Sequence, residues 1–239
     1  GTCLSVRIPS RVRLSLDDWV ANGSLSVACR ELLLGLVARK RAFLVSGGTG
    51  SGKTTLLGSL LGEVPAAERL VIVEDSRELS PDHPHCVRLE ARPANAEGAG
   101  AVTLTDLVRQ ALRMRPDRLV VGEVRGAELV DLLGALTAGH EGGCGTVHAN
   151  SAEAIPARLE ALGALGGLGR AAVHAQAAAA LDACLQLRRG GDGRRYLAEI
   201  AVFEADAEGY VRARPAASFD QSGRLRRESA FGRLERLVA

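Results

Sequence analysis

Short apolar runs alternate with amphipathic segments along most of this chain. The runs at 42–45, 70–73 and 119–121 are mainly aliphatic, as in parallel strands that are buried on both faces. Leucines between 56 and 61 recur at the spacing of one helix face, which predicts a helix directly after the first run. The alternation predicts an α/β fold, a mostly parallel sheet with helices on both faces.

Turn residues and further periodic segments complete the predicted order of elements. We expect strands at 4–8, 86–90 and 146–148, a hairpin of 197–203 with 210–214, and helices at 15–39, 105–114, 128–138 and 151–187, the last interrupted near 166–169. The basic segment 223–239 is either a last amphipathic helix or a frayed surface tail. We expect three parts: residues 1–27, the end of a preceding domain and its linker; 28–220, the main domain; and 221–239, a basic tail.

Composition limits the classes of partner. With 239 residues and 46% apolar content the chain can bury a full core, and its formal charge of +2 demands neither nucleic acid nor anionic lipid. No apolar stretch approaches the ~18 residues of a membrane span, and no charged-then-apolar leader opens the chain. We therefore expect a cytoplasmic protein. Because the chain opens at Gly1 and its single methionine is Met114, we also expect a domain upstream.

The five cysteines are odd in number and widely spaced. They lie at positions 3, 29, 86, 144 and 184 and include no C-x-x-C pair. Reduced thiols fit this spacing better than disulfides, and no zinc site is predicted.

The segment 47–54, GGTGSGKT, stands between the first apolar run and the helix that follows it. Glycines let successive backbone N–H groups turn inward around a β-phosphate, where a Cβ atom would clash or strain the backbone. Lys53 adds a mobile charge for the β- and γ-phosphates, and Thr54 offers a hydroxyl to Mg²⁺. The segment predicts a site for ATP and Mg²⁺ whose binding residues are Gly48, Thr49, Gly50, Ser51, Gly52, Lys53, Thr54 and Thr55.

Two other apolar runs end in acids, one in Glu74 and Asp75 and the other in Glu123. The carboxyl ends of parallel strands meet at one edge of a sheet, where the phosphate loop also belongs. These acids are candidates for holding the metal, directly or through water, and for positioning the attacking water. A carboxylate that only caps a strand end is the alternative for each.

Four segments together resemble the secretion ATPase family that powers type II and type IV secretion and type IV pilus assembly. They are VSGGTGSGKTT (45–55), VIVEDSREL (71–79), LRMRPDRLVVGEVRG (112–126) and AGHEGGCGTVHANSAEA (138–154). Within that family the chain is most similar to the tight-adherence (Flp) pilus and conjugation-associated ATPases. The resemblance implies a RecA-like P-loop ATPase domain that works as a homo-hexamer. It also implies an inner-membrane platform protein as partner and a peripheral position at the inner face of the cell membrane.

The resemblance also implies roles for particular residues. Glu123 ends the Walker B strand and is expected to position the attacking water, while Glu74 of the acidic box supports Mg²⁺ together with Thr54. His140 and His148 fall on the histidine box, and His148 could sense the γ-phosphate. Gly122 stands where most P-loop enzymes carry the Walker B aspartate, a departure that the secretion family shares.

Arginines near the Walker B strand are candidates for stabilising charge in the transition state of phosphoryl transfer. They are Arg113, Arg115 and Arg125. Such an arginine can contribute on the order of a thousandfold in rate. The alternative for each is a salt bridge at the surface or between subunits.

Three other functions compete with a secretion motor. A nucleic-acid translocase would need basic stripes with interleaved aromatics, yet the chain has one Trp, two Tyr and four Phe, which argues against nucleic acid as a partner. A small-molecule kinase would have no use for the paired acidic and histidine boxes. A degenerate nucleotide-binding regulator would not need Lys53, Glu123 and His148 together.

Overall fold

The computed structural model describes residues 1–4 and 13–239. In these ranges the strands are β1 (Phe43–Gly47), β2 (Leu70–Glu74), β3 (Cys86–Glu90), β4 (Arg118–Val124), β5 (Cys144–Val147), β6 (Ala183–Arg189), β7 (Arg195–Ala205), β8 (Val211–Phe219) and β9 (Leu225–Arg227). The helices are α1 (Leu16–Ala21), α2 (Val27–Ala38), α3 (Lys53–Gly62), α4 (Leu104–Leu112), α5 (Glu128–Thr137), α6 (Ile155–Leu165), α7 (Arg170–Ala180) and α8 (Phe231–Val238), with one 3₁₀ turn at Ala152–Ala154.

The strands of the described residues form one sheet in the order β3-β2-β4-β5-β1-β6-β7-β8-β9. From β3 to β6 every neighbouring pair is parallel, and from β6 to β9 every pair is antiparallel. The predicted α/β fold with a mostly parallel sheet and helices on both faces is confirmed. The strand order reverses around β1, which is where open α/β sheets bind ligands.

Alternate residues of the strands point to two apolar cores, one on each face of the sheet. On β1, Phe43 and Val45 belong to the core that α1, α2, α3 and α8 cover. Leu44 belongs to the opposite core, which α4 to α7 cover. Both faces are therefore buried, which explains why the parallel strands appear in the sequence as unbroken apolar runs.

One predicted element is wrong. The helix expected to continue to residue 187 ends at Ala180, and Ala183–Arg189 is β6, which pairs with β1 on one side and β7 on the other. Its first five residues are buried. Periodicity alone does not separate a short, fully buried strand from a buried helix segment.

The two ends of the chain are partly described. The strand predicted at 4–8 falls, apart from Leu4, on residues 5–12, outside the described ranges. At the other end, residues 231–238 form α8, so the helix alternative for the basic tail is correct. Phe231 and Leu234 of α8 are buried in the core beside α2. A Cβ atom added at Gly35 of α2 would lie 2.5 Å from Cβ of Val238. Glycine at position 35 therefore lets α8 pack closely against α2.

A phosphate-loop pocket at the carboxyl edge of the sheet

The loop between β1 and α3 has the backbone shape that its glycines allow. Gly50 and Gly52 have φ of +70° and +96°, in the left-handed region that residues with a Cβ atom rarely adopt. A Cβ atom on Gly47 would lie 2.7 Å from the carbonyl oxygen of Leu187 in β6. Glycine at 47 therefore lets the loop leave β1 close against β6.

Lys53 is the first residue of α3 and folds back over the loop. Its Nζ donates to the carbonyl oxygens of Gly47 and Gly48, both at 3.0 Å. Partial burial lowers the pKa of Lys53, and the negative charges of Glu123 and Glu78 oppose that shift. The ammonium thus lies inside the loop and close to two carboxylates.

A cavity of about 510 Å³ opens above this loop at the carboxyl ends of β1, β2, β4 and β5. Most of the predicted site residues line it: Thr49, Gly50, Gly52, Lys53, Thr54, Thr55, Glu74, Glu123, Arg125 and His148. Gly48 and Ser51 belong to the loop but do not line the cavity, and Ser51 is buried. Four strands and α3 therefore bring distant sequence segments to one place, as expected of parallel strands.

Glu74 is buried at the end of β2, with 3% of its surface exposed. Its Oε1 accepts the backbone N–H groups of Glu78 at 3.0 Å and Leu79 at 2.8 Å. Its Oε2 is buried without a hydrogen-bond partner in the described structure. Burial raises the pKa of Glu74, and the two backbone hydrogen bonds oppose the shift. The result is a rigidly oriented carboxyl group with one unused oxygen.

The side chain of Glu74 lies against Gly122 of β4. A Cβ atom at position 122 would be 2.6 Å from Cγ and 3.2 Å from Oε1 of Glu74. The Glu74 carboxyl group therefore occupies the space where an aspartate at position 122 would begin. This packing accounts for the glycine at a position that usually carries an acid.

Glu123 and Asp75 share one arginine. Arg125 forms a salt bridge with Asp75, and its Nη1 lies 3.8 Å from Oε2 of Glu123. Glu128 holds the turn that carries Arg125, because its Oε1 accepts the N–H groups of Arg125 at 2.7 Å and Gly126 at 2.8 Å. Of the three candidate arginines, Arg125 is the one that reaches the cavity.

His148 follows β5 and is exposed at the cavity. Its neighbours are fixed by buried polar contacts: Thr146 donates to the carbonyl oxygen of Gly122 at 2.6 Å, and Gln186 donates to that of Ala149 at 3.3 Å. Ser46, the residue before the phosphate loop, donates to Gln186. Gln186 thus joins the base of the phosphate loop to the segment that carries His148.

Three predicted residues lie elsewhere. Arg113 and Arg115 precede β4, and His140 precedes β5 and contacts the carbonyl oxygen of Pro116 at 3.4 Å. They lie at the amino edge of the sheet, one strand length of about 20 Å from the carboxyl edge. Within this chain, the structure does not bring them to the cavity.

Two cavity residues were not among those predicted from the sequence. Arg195, on β7, donates from Nε to the carbonyl oxygen of Gly50 at 2.8 Å. Glu78 accepts from the hydroxyl of Thr54 at 3.3 Å. Glu78 lies within the quoted acidic segment and could have been singled out there. Arg195 comes from a distant hairpin in an arginine-rich stretch, and only the fold places it on the loop.

The oxygens in the cavity fit Mg²⁺. Glu74, whose Oε2 is buried without a hydrogen-bond partner, lines the same cavity as Thr54 and Glu123. No group of three metal-ligating side chains is found in residues 1–4 and 13–239. Mg²⁺ needs no such group, because it is usually held by one or two carboxylates with waters and substrate phosphates.

The sheet order, the loop between β1 and α3, and the acids at the neighbouring strand ends define a RecA-like domain of the P-loop nucleotide-binding class. The family model described as "Type II/IV secretion system protein" matches residues 1–231. The chain belongs to the type II/IV secretion system protein family.

Several relatives show this similarity over most of the chain. A Mycobacterium tuberculosis (H37Rv) protein assigned to conjugal transfer is 59% identical over 213 residues, 89% of this chain and 60% of that protein. The conjugal transfer protein TrbB of Rhizobium radiobacter is 32% identical over 213 residues, 88% of this chain and 62% of the relative. The chain thus spans about 60% of the length of these relatives.

Solved structures show the same fold. The VirB11 ATPase of the Brucella suis type IV secretion system, in complex with sulphate, superposes with a TM-score of 0.64 and 31% identity, over 82% of this chain and 65% of that one. The pilus retraction motor PilT with bound ADP gives a TM-score of 0.63 and 25% identity, over 85% of this chain and 57% of that one. In the described part of the chain, no helix is long and apolar enough to cross a bilayer.

Proposed function

We propose that this chain is the ATPase domain of a hexameric motor that hydrolyses ATP with Mg²⁺ to power secretion, Flp or type IV pilus assembly, or conjugal transfer. The observation that carries the proposal is one cavity lined by Lys53, Thr54, Glu74, Glu123 and His148. Family membership and the similarity to VirB11 and PilT support the same function.

The phosphate loop and Lys53 hold the phosphates in this proposal. Backbone N–H groups of residues 48–55 surround the β-phosphate, and the positive end of α3 faces it. Lys53 exchanges its bonds to the carbonyl oxygens of Gly47 and Gly48 for the β- and γ-phosphates. The ammonium already lies in the loop, so a short movement is enough.

Glu74 and Glu123 have different roles in this proposal, one in metal binding and the other in positioning water. Thr54 and the carboxyl group of Glu74 would hold Mg²⁺ and its waters, and Glu123 would orient the attacking water from a half-buried position at the end of β4. When bound, Mg²⁺ supplies positive charge that stabilises the phosphate oxygens. His148 donates a hydrogen bond to the γ-phosphate, and Arg125 adds positive charge beside Glu123.

The assembly is also a proposal. Six copies form a ring at the inner face of the cell membrane and act on an inner-membrane platform protein. A head-to-tail interface closes into a ring when its rotation allows. In such a ring Arg113, Arg115 and His140, which lie at the amino edge within this chain, would reach a nucleotide only across a subunit boundary.

ATP turnover measured at increasing protein concentration, alongside light scattering, tests the motor. We expect turnover per subunit to rise as the chain assembles and to require added Mg²⁺. Full activity at concentrations where light scattering shows a monomer would favour a stand-alone P-loop enzyme. ATP binding without turnover in every assembly state would favour a nucleotide-binding regulator.

A further inference from the structure

Gln186 interrupts a buried apolar run in β6. All residues from Ala183 to Leu187 are buried, and Gln186, with 1% of its surface exposed, is the polar one among them. A buried amide costs free energy unless both its oxygen and its NH₂ group have hydrogen-bond partners. The partners of Gln186 therefore indicate what this glutamine contributes to the molecule.

Those partners fix the orientation of the Gln186 amide. Its Nε2 lies 3.3 Å from the carbonyl oxygen of Ala149 and 3.5 Å from that of Leu187. Carbonyl oxygens only accept hydrogen bonds, so the NH₂ group faces them and Oε1 faces away. The fully buried hydroxyl of Ser46 donates to Oε1. Gln186 thus accepts a hydrogen bond from β1 and donates one to the segment that follows β5.

Through these bonds Gln186 connects two parts of the site that are far apart in sequence. Ser46 directly precedes the phosphate loop, and Ala149 directly follows His148. The path from Ser46 through the amide to the carbonyl oxygen of Ala149 is buried, with 0%, 1% and 6% of the three residues exposed. One side chain therefore joins the base of the phosphate loop to the residue that the proposed function assigns to the γ-phosphate.

The two ends of this path are held differently. Ser46 pairs with Val147 of β5 on one side and with Gln186 of β6 on the other, so the end of β1 is fixed within the sheet. β5 ends at Val147, and residues 148–150 follow it outside the strand. The Gln186 amide donates to the middle of that segment, at Ala149. Loss of the amide should therefore release residues 148–150 and leave the phosphate loop in place.

We propose that Gln186 is a positioning residue that sets His148 relative to the phosphate loop, and through His148 the preference of the site for a ligand with a γ-phosphate. Gln186 does not line the cavity, so it acts through the segment that it holds. This inference rests on the proposed function, because it assumes a nucleoside triphosphate in the cavity and a hydrogen bond from His148 to its γ-phosphate.

Gln186→Met tests the role of the amide, because it removes both hydrogen-bonding groups and keeps an unbranched side chain of similar length. Binding of ADP and of a non-hydrolysable ATP analogue to the 239-residue chain would be measured by calorimetry in the presence of Mg²⁺. The ratio of the two affinities reports the contribution of the γ-phosphate. We expect this ratio to fall roughly fivefold, as for one lost hydrogen bond, and the ADP affinity to stay unchanged.

Gln176→Met is the matched control. Gln176 belongs to α7 and does not line the cavity, and its Oε1 is buried without a hydrogen-bond partner in the described structure. The same substitution there breaks no link between the phosphate loop and His148. We expect the affinity ratio of Gln176→Met to equal that of the unaltered chain. An equal fall in both variants would mean a general effect of the substitution and would overturn the inference.

Combination with His148→Ala separates positioning from a purely structural role. If Gln186 acts through His148, then His148→Ala already removes the γ-phosphate preference, and adding Gln186→Met lowers the affinity ratio no further. A glutamine that only stabilises the fold would lower the ratio by the same factor with and without His148, and this result would disprove the positioning role. Melting temperatures measured in parallel report the loss of stability separately.

Ser46→Ala repeats the test with a smaller change, in case Gln186→Met does not fold. It removes only the hydroxyl that donates to Oε1 of Gln186. We expect a smaller fall in the affinity ratio, which again disappears when His148 is replaced by alanine. A folded Ser46→Ala protein with an unchanged ratio would contradict the proposed path.

The same titrations distinguish a failure of this inference from a failure of the proposed function. If neither ADP nor the analogue binds the unaltered chain, the proposed function is wrong and this inference fails with it. If both bind and Gln186→Met keeps the affinity ratio of the unaltered chain, nucleotide binding stands and the positioning role is disproved. A fall in the ratio that depends on His148 supports the inference.

Discussion

Gly122 and Glu74 lie in contact across β4 and β2: a Cβ atom at position 122 would be 2.6 Å from Cγ of Glu74. The carboxyl group that ends β2 thus fills the space of the acid that most P-loop enzymes carry on β4. Its position depends on the absence of a side chain on the neighbouring strand. Changing either residue should disturb the other.

Gly122→Ala should displace Glu74 and impair both stability and hydrolysis. The backbone at 122 is not in the left-handed region, so the cost is steric, of the order of 1–3 kcal/mol for overpacking a filled site. ATP turnover should fall at least tenfold. Gly134→Ala is the control, because a Cβ atom there meets nothing within 4 Å. Thermal denaturation and turnover assays on both variants would check this; an active, stable Gly122→Ala protein would contradict the packing argument.

Glu123→Gln should separate binding from chemistry. The amide keeps the size and hydrogen-bonding capacity of the side chain but loses the charge that orients the attacking water. ATP should bind with little change, and turnover should fall by a factor on the order of a hundred or more. Nucleotide binding and steady-state hydrolysis would be measured for Glu123→Gln and Glu74→Gln in parallel. A mild Glu123→Gln beside a severe Glu74→Gln would reverse the roles assigned to the two acids.

Glu74→Gln should change how the stability of the nucleotide-free protein depends on pH. Burial raises the pKa of Glu74 above its usual 4.5. A raised pKa in the folded state means stability that is present below about pH 4.5 and lost as the pH rises through the folded value. The glutamine side chain does not titrate in this pH range, so the variant does not lose stability in this way as the pH rises. In urea denaturation, the stability of Glu74→Gln relative to the unaltered chain should therefore fall as the pH is lowered from 7 to 4. Glu63→Gln, at an exposed position after α3, should show no such trend.

Lys53→Ala should abolish stabilisation by ATP while the fold survives. A ligand present at a hundred times its Kd stabilises by about 2.7 kcal/mol, and this gain should vanish without the ammonium. The chain has one other lysine, Lys40, which pairs with Glu68 at 3.4 Å away from the cavity. Lys40→Ala is thus the matched control, and its melting temperature should still rise with ATP. If ATP still raised the melting temperature of Lys53→Ala normally, the proposed role of the phosphate loop in ATP binding would be wrong.

Arg195→Ala should weaken nucleotide binding at the phosphate loop. The variant loses a positive charge and the bond to the carbonyl oxygen of Gly50. We expect ADP and ATP affinities to fall about tenfold, within the range for a charge-assisted hydrogen bond. Arg194→Ala removes the same charge from the adjacent residue, which does not line the phosphate-loop cavity. Equal losses in the two variants would point to a general electrostatic effect instead.

The state of the cysteines could be predicted from the sequence, whereas the structure of the basic tail could not. All five cysteines are free, as their spacing suggested. The basic tail could be a helix or a frayed segment on sequence grounds, because its apolar residues fit an amphipathic helix that needs a partner. Packing of Phe231 and Leu234 beside α2 provides that partner.

The sequence by itself determined the phosphate loop and the order of most strands and helices. Glycine spacing, a lysine and a threonine are local requirements of phosphate binding. Apolar runs that end in acids can be recognised in the sequence because parallel strands bury both faces. The same local signals failed for β6. An alanine-rich helix leads almost directly into a buried strand, and the chain carries no periodicity that separates them.

Only the tertiary structure decided which side chains meet. The glycine at 122 is explained by Glu74 on a neighbouring strand, and Arg195 reaches the phosphate loop from a hairpin nearly 150 residues away in sequence. The sheet also places Arg113, Arg115 and His140 at the edge away from the cavity, although they flank the same motifs as Glu123 and His148. A parallel strand separates residues at its two ends by its full length, so closeness in sequence to a motif does not give closeness to the site.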